Sequence, residues 1–181
     1  FTHCSIEDIG VLRSIPNLTI ISPADSLETA KAIIASLEHS ESTYIRLTGG
    51  TNNPIVYEHD YEFKIGQSIM LKEGKDICIF ASGAMVHNAI KISDELKKVN
   101  IECAIINMHT IKPIDREAVK NSCKTNKLLI SLEEHNIIGG LGSAIAEIKS
   151  TIKNAPPQLF FGINDYYEKG GEYNHLKTKY N

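Results

Sequence analysis

Side chains that could carry out acid–base chemistry or bind an anion stand at three places where a regular element of the sequence begins or ends. The first precedes a helical pattern, and the other two follow runs typical of buried strands. Ligands of open α/β sheets bind at the carboxyl ends of the strands, so these positions are candidates for catalysis or ligand binding. The candidate residues are His3 and Cys4, Arg46, and Glu133, Glu134 and His135.

The first two places also have purely structural explanations. A histidine at a loop end is commonly a surface residue. Cys4 beside His3 suggests a nucleophile and its base, but adjacent residues of an extended chain point to opposite sides, so we do not favour that pair. Arg46 follows the pattern TYIRL at the end of a predicted strand, where it could either bind a ligand or pair with a neighbouring carboxylate.

The third place leads into a glycine-containing turn and a predicted helix. A dinucleotide-binding fingerprint fails here, because Ile145 occupies the position where a third small residue is expected. We favour close packing of helix against strand as the reason for the glycines, over a bound phosphate. For the acidic and histidine residues we likewise favour helix capping and contact with another domain. The glycines are Gly139, Gly140 and Gly142.

Composition narrows the class of protein. The 181 residues are 42% hydrophobic, which is enough for a real core, and the net charge of −3 gives no electrostatic case for nucleic acid or an anionic membrane. No apolar run is long enough to span a bilayer. The four cysteines are widely separated without a CxxC pair, so we expect reduced thiols in a cytoplasmic protein and no zinc site. No P-loop and no other metal-ligand spacing occurs.

The first 50 residues predict a small βαβ unit after a short N-terminal helix. Asp25, followed three residues later by Glu28, forms a capping box at the start of the unit's helix. From residue 51 to 64 the chain loses its periodicity, which indicates an interdomain linker. The predicted elements of the unit are a strand over 18–22, a helix over 27–38 and a strand over 43–47.

Residues 65–181 predict a second domain built on a mostly parallel sheet. Four strands alternate with three helices, an order that implies right-handed crossovers. The chain starts at Phe1, within an expected loop and without an initiator methionine, so we expect part of a longer protein. The predicted strands cover 77–82, 101–107, 128–132 and 159–161, and the helices cover 86–98, a segment capped by Asp115, and the segment after the glycines.

Two long segments carry a resemblance to a known family. THCSIEDIGVLRSIPNLTIISPAD resembles the pyrimidine-binding domain of transketolases, and EEHNIIGGLGSAIAE resembles the matching signature of their C-terminal domain. Together they cover nearly the whole chain in the family's order. The resemblance implies an α/β fold: a partial pyrimidine-binding βαβ unit followed by a three-layer α/β/α C-terminal domain. The similar 1-deoxyxylulose-5-phosphate synthases have different residues around both signatures, so transketolase is the closer match.

The resemblance implies the C-terminal part of an enzyme that moves a two-carbon ketol unit between sugars. Family members use thiamine diphosphate and Mg²⁺, held across a dimer interface, and the diphosphate and metal ligands belong to an N-terminal half that would precede Phe1. We therefore expect this chain to be inactive alone and to need an N-terminal thiamine-binding half or subunit, in a homodimer or heterotetramer. The alternatives are a deoxyxylulose phosphate synthase and a non-catalytic interaction or regulatory module.

The resemblance also assigns site residues. His3 matches a family histidine that faces substrate oxygens near the reactive carbon, which implies a catalytic and substrate-binding role, and we expect Arg46 to bind substrate. Where the family has an arginine that clamps the sugar phosphate, this chain has Gly49. Whether its sugar substrates are phosphorylated therefore stays open. No residue is assigned to a metal or to the cofactor.

Overall fold

The computed structural model describes residues 5–48 and 54–167. These residues form a mixed α/β structure with a mostly parallel main sheet, as predicted. The helices are α1 (Asp8–Leu12), α2 (Ser26–Glu38), α3 (Met85–Lys97), α4 (Arg116–Thr125) and α5 (Leu141–Lys149). The strands are β1 (Leu18–Ile21), β2 (Ser42–Ile45), β3 (Ile69–Lys72), β4 (Ile77–Ala81), β5 (Cys103–Asn107), β6 (Thr110–Lys112), β7 (Leu128–Asn136) and β8 (Gln158–Ile163).

The first sheet has the order β2-β1-β6. Strands β1 and β2 are parallel and are joined through α2, which confirms the predicted βαβ unit. Strand β6 pairs antiparallel with β1 and comes from much later in the chain, where no strand was predicted. The first sheet is therefore completed by residues from the part of the chain that was assigned to the second domain.

The second sheet has the order β3-β5-β4-β7-β8. The four predicted strands are present, and every pairing among them is parallel. The additional strand β3 lies antiparallel to β5 at one edge and was not predicted. The predicted alternation of strands and helices thus gives the main sheet but not its antiparallel edge.

Helices cover both faces of this sheet because successive side chains of a strand point to opposite faces. Phe80 of β4 packs in one buried cluster with Ile145 of α5 and Val119 of α4. The neighbouring Ile79 packs in a second cluster with Val86 of α3. The three layers are therefore α3, the sheet, and α4 with α5. Among the described residues, no helix is both long and apolar enough to cross a membrane.

The segment predicted as a linker packs across the start of α2. The backbone N–H groups of Val56 and Tyr57 both donate to the Asp25 carboxylate at 2.9 Å. The Tyr61 hydroxyl donates to Glu28 at 2.8 Å. Residues 56–61 are thus held on the first unit by hydrogen bonds. The linker prediction rested on the loss of hydrophobic periodicity, which gives no information about such contacts.

The capping interaction at α2 is confirmed, although its second half differs from the prediction. The Asp25 carboxylate accepts from the Glu28 N–H at 2.9 Å, as a helix cap does. The Glu28 carboxylate accepts from the Ala24 N–H at 2.6 Å rather than from that of Asp25. It also accepts from the Asn107 side-chain amide at 2.8 Å. Burial raises the pKa of the Glu28 carboxyl, because its charged form is desolvated.

Candidate functional site

The sequence placed Glu133 after a strand that ended at residue 132, but β7 continues to Asn136, so Glu133 lies within the strand, from which it caps helix α5. Its carboxylate accepts hydrogen bonds from the backbone N–H groups of Leu141 at 2.6 Å and Gly142 at 2.8 Å. A helix N-terminus attracts a negative charge, and here the chain's own carboxylate occupies that position. The capping interpretation is therefore confirmed, and these two amides are not available to a phosphate.

The Glu133 carboxyl is ionised less readily than an exposed one. Its side chain is almost fully buried, and this desolvation raises its pKa from 4.5 to about 7. The two backbone hydrogen bonds, together with the nearby charges of Arg46 and Arg13, act in the opposite direction. The group is thus poised to change its charge near neutral pH.

We expect Glu133→Gln to lower the free energy of unfolding by about 1–3 kcal/mol, because a side-chain amide has one acceptor oxygen for two buried N–H donors. The folded-state pKa lies above the ordinary value, so the wild type should gain stability as the pH falls from 7 to 4.5. The variant should lack this gain. Thermal unfolding across that pH range, with the exposed Glu38→Gln as a charge-matched control, measures both effects. An unchanged pH slope in Glu133→Gln would contradict the titration assigned to this group.

His135 joins β7 to the N-terminal unit. It is fully buried, and its Nε2 accepts from the Gly10 N–H at 3.2 Å. Its Nδ1 lies 2.7 Å from the Asn136 carbonyl oxygen, which can only accept, so Nδ1 carries the proton. Desolvation lowers the His135 pKa, which favours this neutral form. The Asn136 N–H donates to the Ile6 carbonyl at 2.7 Å, so the domain-contact interpretation is confirmed.

The glycine turn after β7 packs directly against the backbone of α1. Gly139 has φ of +81°, and a β-carbon on it would lie 2.9 Å from the α-carbon of Gly10. The Arg13 guanidinium donates to the Gly139 carbonyl at 2.8 Å. Close packing, rather than an anion, thus accounts for this part of the turn.

Arg46 forms a nearly buried ion pair. Its Nε donates to both carboxylate oxygens of Asp8, at 3.1 and 2.9 Å, and the two side chains are 13% and 10% exposed. The Tyr44 hydroxyl donates to the same carboxylate at 2.8 Å, and Arg46 Nη2 donates to the Ser5 carbonyl at 2.9 Å. The structure therefore shows the pairing alternative. The contacts of Nε and Nη2 do not show whether Arg46 also binds substrate, so that role stays a prediction.

The remaining sequence candidates separate into two groups. His3, Cys4 and Gly49 lie outside the described residues, so their predicted roles stay predictions. Glu134 alternates with Glu133 along β7 and is only half-buried, on the opposite face of the strand. Of the candidates, the structure brings Arg46 and His135 close to one carboxylate: Arg46 pairs with Asp8, and one Asp8 oxygen lies 3.9 Å from His135 Nε2.

Sequence reasoning did not single out the buried residue His109. His109 is fully buried, stacks on Phe63 with ring centroids 4.2 Å apart, and has an Nε2 without a hydrogen-bond partner among the described residues. Burial lowers its pKa to about 4. The sequence signal that could have indicated its burial is its position between two apolar runs. Across residues 5–48 and 54–167, no group of three or more His, Cys, Asp or Glu side chains could hold a metal ion.

Comparison with known sequences finds two family models, in the order of the chain. The model of the transketolase pyrimidine-binding domain matches residues 1–52, and that of the transketolase C-terminal domain matches residues 66–177.

Similar curated proteins include parts of transketolases. The 6-deoxy-6-sulfo-D-fructose transketolase subunit SqwH of Clostridium sp. strain MSTE9 is 37% identical over 99% of this chain and 55% of its own length. One subunit of the apulose-4-phosphate transketolase of Actinobacillus succinogenes is 39% identical over 81% of this chain and 47% of its own length. The 1-deoxy-D-xylulose-5-phosphate synthase of Methylacidiphilum infernorum is 31% identical over 99% of this chain and 29% of its own length. The chain spans about half the length of these transketolase relatives.

Solved structures of transketolases are also similar to this chain. A chain described as "split gene transketolase, inactive beta4 tetramer" superposes with a TM-score of 0.91 and 35% identity, over 99% of this chain and 57% of that one. The transketolase of Campylobacter jejuni superposes with a TM-score of 0.70 at 19% identity, over 99% of this chain and 26% of that one, which shows a shared fold.

Proposed function

The chain belongs to the transketolase family, and from this premise we propose that it is the C-terminal part of an enzyme transferring a two-carbon ketol unit between sugars. One observation carries the proposal: a transketolase subunit is 37% identical over 99% of the chain. The TM-score of 0.91 to a split-gene transketolase chain supports it. The division into residues 1–50, a linker over 51–64 and a C-terminal domain over 65–181 is part of this proposal.

We propose thiamine diphosphate and Mg²⁺ as cofactors of the complete enzyme. Thiamine diphosphate supplies the carbon nucleophile that such a transfer requires. The described residues do not fit the metal, because they bring together no set of acidic, histidine or cysteine donors for it. The diphosphate and metal contacts are therefore assigned to an N-terminal thiamine-binding half or subunit.

Within this chain, His3 would donate a hydrogen bond to an oxygen of the sugar at the reacting carbon. Arg46 would contribute a positive charge at the carboxyl end of β2, where sheet ligands bind. The contacts that Arg46 makes to Asp8 and to the Ser5 carbonyl fix the chain only two residues after His3.

We further propose that the chain self-associates and works in a homodimer or a heterotetramer. Two relatives are named as transketolase subunits, and the similar solved chain is described as a tetramer. A cytoplasmic location is part of the proposal, supported by the free thiols of Cys78, Cys103 and Cys123.

Two other functions are tested by the same experiment. The 31% identity to a 1-deoxy-D-xylulose-5-phosphate synthase favours that activity as the second candidate, and a non-catalytic module is the third. The complete enzyme, loaded with thiamine diphosphate and Mg²⁺, is incubated with ketose donors and aldose acceptors and, in a parallel assay, with pyruvate and glyceraldehyde 3-phosphate. Products lengthened by two carbons are expected. Formation of 1-deoxyxylulose 5-phosphate, or no turnover with any donor, would contradict the proposal.

We expect only a weak preference for phosphorylated sugars, because Gly49 stands where the family places a phosphate-clamping arginine. A charge-assisted hydrogen bond contributes about 1.5–3 kcal/mol, a factor of roughly ten to a hundred in affinity. Gly49→Arg should therefore raise the ratio of kcat/KM for phosphorylated over unphosphorylated ketoses, whereas the neighbouring Gly50→Arg should not. A strong phosphate preference in the wild type, unimproved by Gly49→Arg, would refute this expectation.

A further inference from the structure

The Arg46 guanidinium holds both ends of residues 5–8, the segment that leads into α1. Its Nη2 donates to the Ser5 carbonyl at 2.9 Å, and its Nε donates to the two oxygens of the Asp8 carboxylate at 3.1 and 2.9 Å. Nε and Nη2 belong to one rigid planar group, so the two contacts together fix the position of Ser5 relative to Asp8. Arg46 thus closes this segment against the end of β2.

The Asp8 carboxylate orients the Arg46 side chain. The two side chains are only 10% and 13% exposed, and the carboxylate also accepts from the Tyr44 hydroxyl at 2.8 Å. The backbone N–H of Arg46 donates to the Ile21 carbonyl at the end of β1 at 2.8 Å, so the arginine starts from a fixed point. Removing the carboxylate would take away the partner of Nε that directs Nη2 at the Ser5 carbonyl.

Helix α1 depends on such contacts for its position. It has five residues, fewer than an isolated helix needs to be stable, and its first turn has no side-chain cap from the preceding residue. From the end of β7, the Asn136 N–H donates to the Ile6 carbonyl at 2.7 Å, and His135 accepts from the Gly10 N–H at 3.2 Å. Residues 5–10 are therefore held by contacts from the ends of both β2 and β7.

Net stability is a weak explanation for the Asp8–Arg46 ion pair. Taking two charges out of water costs about as much as their attraction returns, so buried ion pairs often add little to the free energy of folding. Such a pair does fix a geometry, because its two groups satisfy each other in one arrangement. Here the geometry includes the backbone at Ser5, which is two residues from His3 in the sequence.

We propose that Asp8 is a positioning residue of the substrate site: it orients Arg46, and Arg46 holds the backbone that leads to His3. The inference rests on the proposed function, in which His3 donates a hydrogen bond at the reacting carbon of the sugar. Displacing a catalytic group by about 1 Å can reduce the rate roughly a hundredfold. Asp8 therefore affects turnover although it does not itself contact the sugar.

The test is a double-mutant cycle on kcat of the complete enzyme, loaded with thiamine diphosphate and Mg²⁺. Asp8→Ala should lower kcat about tenfold, which is less than the effect of His3→Ala, because a displaced histidine costs at most as much as an absent one. In the His3→Ala background, Asp8→Ala should change kcat by less than about twofold. A general loss of active enzyme would instead lower kcat by the same factor in both backgrounds.

Asp8→Asn separates positioning from folding. Its amide oxygen can take the place of the carboxylate oxygen that accepts from both Arg46 Nε and the Tyr44 hydroxyl, so this variant should recover part of the kcat lost in Asp8→Ala. It also replaces Asp8→Ala in the cycle if circular dichroism shows that the alanine variant does not fold. Glu147→Ala is the matched control, since it removes the 2.7 Å ion pair of Arg13 at the other end of α1 and should keep the wild-type kcat.

The outcomes distinguish this inference from the proposed function. Equal losses on Asp8→Ala with and without His3, or a wild-type kcat in Asp8→Ala, would overturn the positioning role while ketol transfer by the wild type stands. A wild-type enzyme without ketol transfer would overturn the proposed function and this inference with it.

Discussion

Valine in place of Gly140 is expected to lower the free energy of unfolding by about 3 kcal/mol or more. A β-carbon at this position would overlap the Oε2 oxygen of Glu133 and lie 2.7 Å from Nδ1 of His135. Gly140 has φ of −81°, so the effect is steric and does not come from the backbone angle. Displacing Glu133 would also remove the cap of α5, which adds to the cost. For a protein of this size we expect a melting temperature lower by roughly 10 °C.

His135→Ala is the variant against which Gly140→Val is compared. Removing the imidazole deletes the acceptor of the Gly10 N–H and leaves a cavity, which together should cost less than the Gly140→Val overlap. Gly140→Ala should already show most of the loss, because the first added carbon creates the overlap. Thermal unfolding of the three variants gives their ranking. A larger loss in His135→Ala than in Gly140→Val would contradict the packing explanation.

Alanine in place of His3 is expected to reduce turnover of the complete enzyme on the order of a hundredfold, with little change in cofactor affinity. The physical basis of this loss of turnover is the missing hydrogen bond to an oxygen that gains negative charge in the transition state. The measurements are kcat for ketol transfer and the dissociation constant of thiamine diphosphate. Cys4→Ala is the neighbouring control and should retain turnover. Wild-type turnover in His3→Ala would return this histidine to the surface-residue interpretation.

The elements that the sequence predicted are those with their own local pattern. Strands β1, β4, β5 and β7 are apolar runs bounded by turns, and α2 begins at a capping aspartate, Asp25. Strand β6 has only three residues, too few to show a period, whereas β3 has four residues, as β1 does, so its length does not explain why it was missed. Both β3 and β6 are strands because they pair antiparallel with β5 and β1, and such partners are set by the tertiary fold.

The candidate site was predictable where its contacts are local. Glu133 caps a helix that begins eight residues later, and a glutamate just before a glycine turn indicates such a cap. Arg46 pairs with Asp8, 38 residues away, and Glu28 binds Asn107, 79 residues away. No spacing rule connects residues so distant in sequence. The single sequence therefore gives the candidate residues and leaves their partners to the structure.

Calorimetric titration with thiamine diphosphate and Mg²⁺ tests the central claim most directly, because the cofactor contacts are assigned to a thiamine-binding half outside this chain. This chain alone, verified as folded by circular dichroism, should give no binding heat at micromolar cofactor. After addition of the N-terminal thiamine-binding half, the same titration should show saturable binding, and ketol transfer should begin. Micromolar binding by this chain alone would contradict the account.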